Sequence, residues 1–209
     1  MLSVALLNMV PCGIVVLNAK ARILFTNTFA ANLLRTTSDL CADKGFLRAR
    51  SIPHSRALSD ALAHLVHSER PEPVGFSIAR SNRCPLSIAL ARLAPLPGKT
   101  VPKPENVRIA AILSDPERNI RPSASLIRDL FQFTPVESSI AVLMMESVDT
   151  ARIAEGRGIS RDTIREHLKL MFPKVNAKNQ IELLHILLHS PASFLFPASD
   201  LVTQDLPPT

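Results

Sequence analysis

Tryptophan and tyrosine are absent from the 209 residues, so large-residue packing falls to Phe, Leu, Ile and Met. Cysteine is scarce: Cys12, Cys41 and Cys84 are far apart, odd in number and form no C-x-x-C. That argues against a zinc site and a disulfide framework, and it fits a reducing cytosol; no metal site of any kind is expected. No apolar run reaches membrane-spanning length. The first 17 residues are rather apolar, but they lack a basic start and contain Asn8 and Pro11, which argues against a secretory leader. Met9-Val10-Pro11-Cys12 has the outline of a lipoprotein box, yet Pro11 stands where a small residue is needed. The expectation is a cytoplasmic protein with no membrane partner.

Catalytic signatures are missing too. There is no phosphate-cradling glycine loop and no nucleophile elbow. A histidine-kinase pattern and the acidic layout of a receiver domain are also lacking. The chain is therefore expected not to be an enzyme, to carry no catalytic residue, and to have no phosphorylation control.

What is present is an ordinary 46% of apolar residues, enough for a core, in a length that suits one large or two small domains. The net charge of +6 invites a nucleic-acid reading, but its distribution does not support one. Residues 1–120 carry +7, residues 121–190 only +1, and the remainder −2. Any DNA contact in the second half must come from the placement of single charges.

Pro11 and Gly13 punctuate the start of a strand at Ile14-Val15-Val16-Leu17, and Asn18-Ala19-Lys20 suits a hairpin turn into a second strand, Arg22 to Thr26. Asn27 or Thr28 caps a helix through Leu34, with Phe29, Ala30, Leu33 and Leu34 as its stripe. A second helix spans Ser55 to His67, with Leu58, Ala61, Leu62, Leu65 and Val66 on one side. Three strands follow at Val74–Ala79, Leu86–Leu93 and Val107–Leu113, the last two joined by the solvated loop Pro95–Pro104. This order predicts an α+β domain with a mostly antiparallel, five-stranded sheet.

The first part, residues 1–116, resembles a PAS sensor domain. The residues that carry the resemblance are Pro11-x-Gly13-Ile14-Val15-Val16-Leu17-Asn18, then Ile23-Leu24-Phe25-x-Asn27 leading into Phe29-Ala30-Ala31-x-Leu33-Leu34, and the closing Ile109-Ala110-Ala111-Ile112-Leu113-Ser114-Asp115-Pro116. It implies a sensor of a small-molecule ligand, redox state or partner protein. Some PAS domains hold haem through a histidine near His54, His64 and His67, but those residues read as helix surface. No flavin-reactive motif surrounds Cys41, and Cys84 reads as a packed residue at a strand start. Haem and flavin are thus not supported, and the cofactor stays unknown. The usual helix before the first strand is expected to be short.

A polar, proline-bearing linker is expected over 117–125, a DNA-binding domain over 126–190, and a Pro-rich tail over 191–209 in which Phe194, Leu195 and Phe196 pack on a domain or partner. In the second domain, Thr134-Pro135-Val136-Glu137 is a capping box with Pro at the first helical position. Ile140, Leu143 and Met144 make the stripe of this helix. Asp149 caps a short helix containing Ile153 and Ala154, and Gly158 sits where a tight turn needs positive φ. Ser160 caps the next helix, with Asp162 in its first turn. At about 100° per residue, Ile164, Leu168, Met171 and Phe172 fall on one side and Asp162, Arg165, Glu166 and Lys169 on the other. Solvation alone would account for such a face on an isolated helix.

The stretch 126–190 resembles the LuxR/GerE-type helix-turn-helix. The matching residues are Thr134-Pro135-x-Glu137, Ile153-Ala154-Glu155, Gly158-Ile159-Ser160, Thr163-Ile164-Arg165-x-His167-Leu168, Phe172-x-Lys174 and Glu182-Leu183. The resemblance implies an all-α four-helix domain that binds double-stranded DNA as a homodimer and addresses RNA polymerase. It places Arg165, Glu166 and Lys169 at base edges and Ser160, Arg161, Thr163, Lys174 and Lys178 on phosphates. Glu137, Ile153, Ile159, Ile164 and Leu168 take structural roles. The sequence departs from the pattern at Ser147, Arg157, Pro173, which interrupts the end of the third helix, and Gln180. The final helix, Ile181–Leu188, is apolar enough to offer a partner surface. The chain thus reads as a sequence-specific transcription regulator, with a protein-interaction adaptor bearing a degenerate helix-turn-helix as the alternative.

Overall fold

Alternation of apolar residues places one face of each long strand inward. In the computed structural model, which describes residues 2–94, 106–117, 122–146 and 149–194, strands β1 (Gly13–Asn18), β2 (Ile23–Thr26), β5 (Val74–Arg80), β6 (Arg83–Arg92) and β7 (Arg108–Ser114) form one antiparallel sheet in the order β2-β1-β7-β6-β5. β1 alternates buried and half-buried positions, and Val15 lies opposite Ala111, which lies opposite Leu90. All three are fully buried. The expected α+β domain with five antiparallel strands is present.

The inner face is covered by α2 (Thr28–Thr36) and α3 (Ile52–His67), which bury the stripes read from the sequence. α2 comes so close to β1 that a Cβ on Gly13 would stand 2.9 Å from the Leu113 Cβ and 3.3 Å from the Ala30 Cα. Glycine is needed there for close packing. A second hairpin, β3 (Leu40–Asp43) and β4 (Phe46–Ala49), was not expected. Its two turn residues, Lys44 and Gly45, both have positive φ (47° and 80°), the geometry that matches strand twist in a tight hairpin. α1 (Leu2–Leu7) is short, as the sequence implied.

Asn27 joins these elements. Its Oδ1 accepts from the Ile14 and Ala30 backbone N–H groups, and its Nδ2 donates to the Leu7 and Cys12 carbonyls, each at 2.9 Å. It is 1% exposed, so its own amide has no water as a substitute for these partners. Asn27→Ala is expected to cost about 2 kcal/mol, since it leaves the Ala30 N–H and three half-buried backbone groups without this partner. Urea unfolding followed by circular dichroism checks this; an unchanged midpoint would refute it.

The described residues divide into two compact units between Glu117 and Pro122. The second is helical: α4 (Ala124–Phe131), α5 (Pro135–Glu146), α6 (Thr150–Arg157), α7 (Arg161–Val175) and α8 (Gln180–Leu188), then a 3-10 turn at Pro191–Ser193. α5 to α8 are the four expected helices. α4 is an addition, and it begins inside the stretch read as linker, capped by Ser123. Ile127 from α4 and Ile140, Ile164 and Leu187 from α5, α7 and α8 are fully buried in one core. Ser147, residues 118–121 of the expected linker, the loop Pro95–Pro104, and Leu195 and Phe196 lie outside the described residues, as does the side chain of Arg157. Phe194, expected to pack, is 53% exposed. Among the described residues, no helix is long and apolar enough to cross a membrane.

Candidate nucleic-acid interface

Local bonds set each helix of the second unit in place. Thr134 Oγ1 accepts from the Glu137 N–H at 3.2 Å, and Glu137 Oε2 accepts from the Thr134 N–H at 2.7 Å, closing the capping box that opens α5. Asp149 caps α6 through the Ala151 N–H at 2.8 Å. Gly158 ends α6 in the left-handed region (φ 64°), where its N–H returns to the last turn. Two residues later Ser160 is extended, and its Oγ accepts from the Thr163 N–H at 3.1 Å. The chain therefore leaves one helix and enters the next within three residues, with each end satisfied.

α7 buries Ile164, Leu168 and Met171 to 4% exposure or less. That leaves one orientation for the helix, and it turns Asp162, Arg165, Glu166 and Lys169 to solvent, with side chains 63–85% exposed. The four are not independent. Arg165 Nη1 donates to Asp162 Oδ1 at 2.8 Å, and Lys169 Nζ donates to Glu166 Oε1 at 2.7 Å. Each base is held by the acid three residues before it. The stripe alternates in sign and sums to zero.

Ser160, Arg161 and Thr163 are exposed at the N-terminal end of α7, beside the stripe. Here the peptide dipole and free N–H groups favour an anion. Lys178 is exposed in the turn after α7, a whole helix of 15 residues, or about 22 Å, away. Lys174 is otherwise engaged. Its Nζ donates to Glu137 Oε2 at 2.6 Å and to the Gln132 carbonyl at 3.3 Å, and it lies 5.9 Å from the Phe133 ring centre. Glu137 is only 4% exposed at its side chain. Burial pushes its carboxyl pKa up, but the bonds from Lys174 and from the Thr134 N–H outweigh this and hold it below the usual carboxylate range. Pro173 does not end α7: the helix runs on to Val175 and stops at Asn176, which takes left-handed φ of 56°.

Leu170 on α7 is 60% exposed and was not singled out from the sequence. Its signal was available, as an apolar residue off the apolar stripe. On α8, Ile181 and Leu188 are 75% and 44% exposed, so part of its apolar surface is uncovered in this chain.

In the first unit, His64 and His67 are exposed on α3, and the His54 ring nitrogen lies 2.7 Å from Ser51 Oγ. Cys84 is exposed rather than packed: it is the second residue of β6, whose first three positions are all exposed. Among the described residues, no group of three or more His, Cys, Asp or Glu could hold a metal ion.

No protein-family model matches this sequence, and no curated protein does. Among solved structures, a Vibrio cholerae VqmA–ligand–DNA complex aligns over 96% of this chain and 92% of its own at TM-score 0.39 and 12% identity. A phage VqmA–DPO complex covers 97% of this chain and 94% of its own at TM-score 0.37 and 15% identity. The PAS domain of Bordetella pertussis BvgS covers 63% of this chain and 93% of its own at TM-score 0.36 and 20% identity. These likenesses are too weak to bear on function.

Proposed function

We propose that the chain is a sequence-specific, non-enzymatic DNA-binding regulator of transcription, with a PAS-like sensor domain over 1–116 and a LuxR-type helix-turn-helix domain over 126–190. The observation that carries this is α7: one face locked in the core, the other an exposed stripe of hydrogen-bonding charges, entered through a left-handed glycine and a serine cap. A second helix presented in that way fits the major groove. There Arg165 reads guanine O6 and N7, Glu166 accepts from cytosine N4, and Lys169 donates to guanine. Leu170 is placed to meet a thymine methyl group. Ser160, Arg161, Thr163 and Lys178 take phosphates, while Lys174 reaches DNA only by leaving Glu137.

One such module makes a small interface, so a homodimer on paired half-sites is part of the proposal, with the exposed side of α8 as a candidate contact. In the sensor half, the proposed signal is a small ligand. The alternative signals are redox state and a partner protein. Contact with RNA polymerase would complete the regulatory role.

The second reading, a protein-interaction adaptor, draws on the zero net charge of the stripe and on the engagement of Lys174 with Glu137. One experiment separates the two. Arg165→Ala is expected to abolish preference for the selected site in a gel-shift assay and leave the circular dichroism spectrum unchanged, because the side chain is exposed. Retained preference would remove Arg165 from base reading; no binding by the unaltered protein to any duplex would favour the adaptor.

A further inference from the structure

We infer that Asp162 is a positioning residue for Arg165, exchanging general affinity for DNA against discrimination between sequences; this rests on α7 being the reading helix. The 2.8 Å bond from Arg165 Nη1 to Asp162 Oδ1 occupies one nitrogen of the guanidinium. It leaves the edge formed by Nε and Nη2 free, and that edge can take guanine O6 and N7 together. A free arginine must give up much of its rotamer freedom on binding. A braced one has given it up already, so the loss does not weaken the cognate complex.

The brace also acts through its charge. Asp162 stands in the first turn of α7, 85% exposed, beside Ser160, Arg161 and Thr163. That is the end of the helix where backbone dipoles draw phosphate in. A carboxylate there opposes every phosphate, whatever the sequence. With Glu166 holding Lys169 in the same way, the stripe offers random DNA almost no net attraction. At a wrong base pair the cations keep their intrahelical partners and the acids face groove acceptors, a repulsive element that raises specificity. At the right one, guanine satisfies Arg165 without displacing Asp162.

The sequence alone places Asp162 in a first helical turn on the same face as Arg165. The bond between them makes it part of the reading surface.

The test uses the full-length protein and a randomised duplex library. The sequence that the unaltered protein enriches, and a scrambled duplex of equal length, are then titrated with the unaltered protein, Asp162→Asn and Asp162→Glu. Asp162→Asn is expected to bind the scrambled duplex several-fold more tightly and to lose about tenfold in the ratio of enriched to scrambled affinity. Asp162→Glu keeps a carboxylate one helical turn from Arg165 and is expected to hold the ratio near that of the unaltered protein. All three should remain folded and melt within a few degrees of one another, since a dipole-matching charge and an exposed ion pair contribute little to stability. An unchanged ratio in Asp162→Asn, or an equal loss in both variants, overturns the positioning role and leaves the DNA-reading proposal standing. Enrichment of no sequence by the unaltered protein overturns both.

Discussion

Arg80→Met is expected to destabilise the first unit by about 3–5 kcal/mol. Arg80 ends β5, and Asp115 directly follows β7. Nη1 and Nη2 of the arginine grip the two carboxylate oxygens at 2.8 and 2.7 Å, and Nε donates to the Cys84 carbonyl at 2.7 Å. The side chains are 2% and 7% exposed, so this is a buried, bidentate pair rather than a surface one. Removing the arginine leaves a buried carboxylate with only the Glu117 N–H at 3.1 Å and the more distant Arg83 at 3.7 Å. Removing both charges does not, so Arg80→Met combined with Asp115→Leu should recover most of the loss. Urea unfolding by circular dichroism measures both, since the chain has no tryptophan or tyrosine for fluorescence. A double variant as unstable as the single one would rule out electrostatic stranding.

The pH dependence of this pair has a definite sign. Burial pushes the Asp115 carboxyl up, but the Arg80 bond and the Glu117 N–H draw it further down, so its folded pKa is depressed. Its contribution to stability is full above the usual carboxylate range and lost as pH falls through the folded value. In Arg80→Met only burial and weaker partners remain, so the carboxyl takes up a proton more readily. The gap between variant and unaltered protein should then be widest at neutral pH and narrow in acid.

Lys174→Met is expected to have the second largest effect, about 2–3 kcal/mol on the second unit. Its partner Glu137 is 4% exposed, but Lys174 itself is 32% exposed, so solvent screens part of the attraction and the cost falls below that of a wholly buried pair. The bond spans 37 residues and ties the last turn of α7 to the first turn of α5, while the same ammonium reaches the carbonyl of Gln132 between α4 and α5. Glu137 has a depressed folded pKa, so this stabilisation too is lost as pH falls below the ordinary carboxylate range. DNA titrations of Lys174→Met separate the two roles at this position. If the lysine only anchors α7, binding at a temperature where the variant is folded keeps the salt slope of the unaltered protein. If it contacts phosphate, the slope falls by about one.

Much of the architecture was legible because it is local. The caps at Asn27, Asp149 and Ser160 and the box at Thr134 and Glu137 are bonds between residues two or three apart, and each is where the residue types place it. The alternation in β1 and the stripes of α2, α3 and α7 follow from the periods of strand and helix. Other elements were hidden. β3 and β4 have four residues each, too few to display a period, and Lys44-Gly45 was their one turn signal. α4 was hidden because it begins two residues after Pro122, inside a stretch whose prolines and serines read as loop. Pro173 was read as an interruption, yet α7 runs on past it to Val175 and closes at Asn176, so the lost donor did not end the helix.

The amino-acid sequence by itself determined the caps that open α2, α5, α6 and α7, which faces of the long helices are apolar, and which charges stand on the outer face of α7; it missed α4 and started α3 at Ser55, three residues after Ile52, where Ser51 caps it. Its information is carried by contacts along a few residues of chain. The tertiary structure decided which charges are engaged: Lys174 with Glu137 across 37 residues, and Arg80 with Asp115 across 35. It also set the strand order β2-β1-β7-β6-β5, which brings the last strand to the centre of the sheet. Electrostatic pairing depends on separation in space, and no period of the sequence encodes that. The stripe at Asp162, Arg165, Glu166 and Lys169 lies between the two cases. Helical spacing put the four residues on one side, and the burial of Ile164, Leu168 and Met171 turned that side outward.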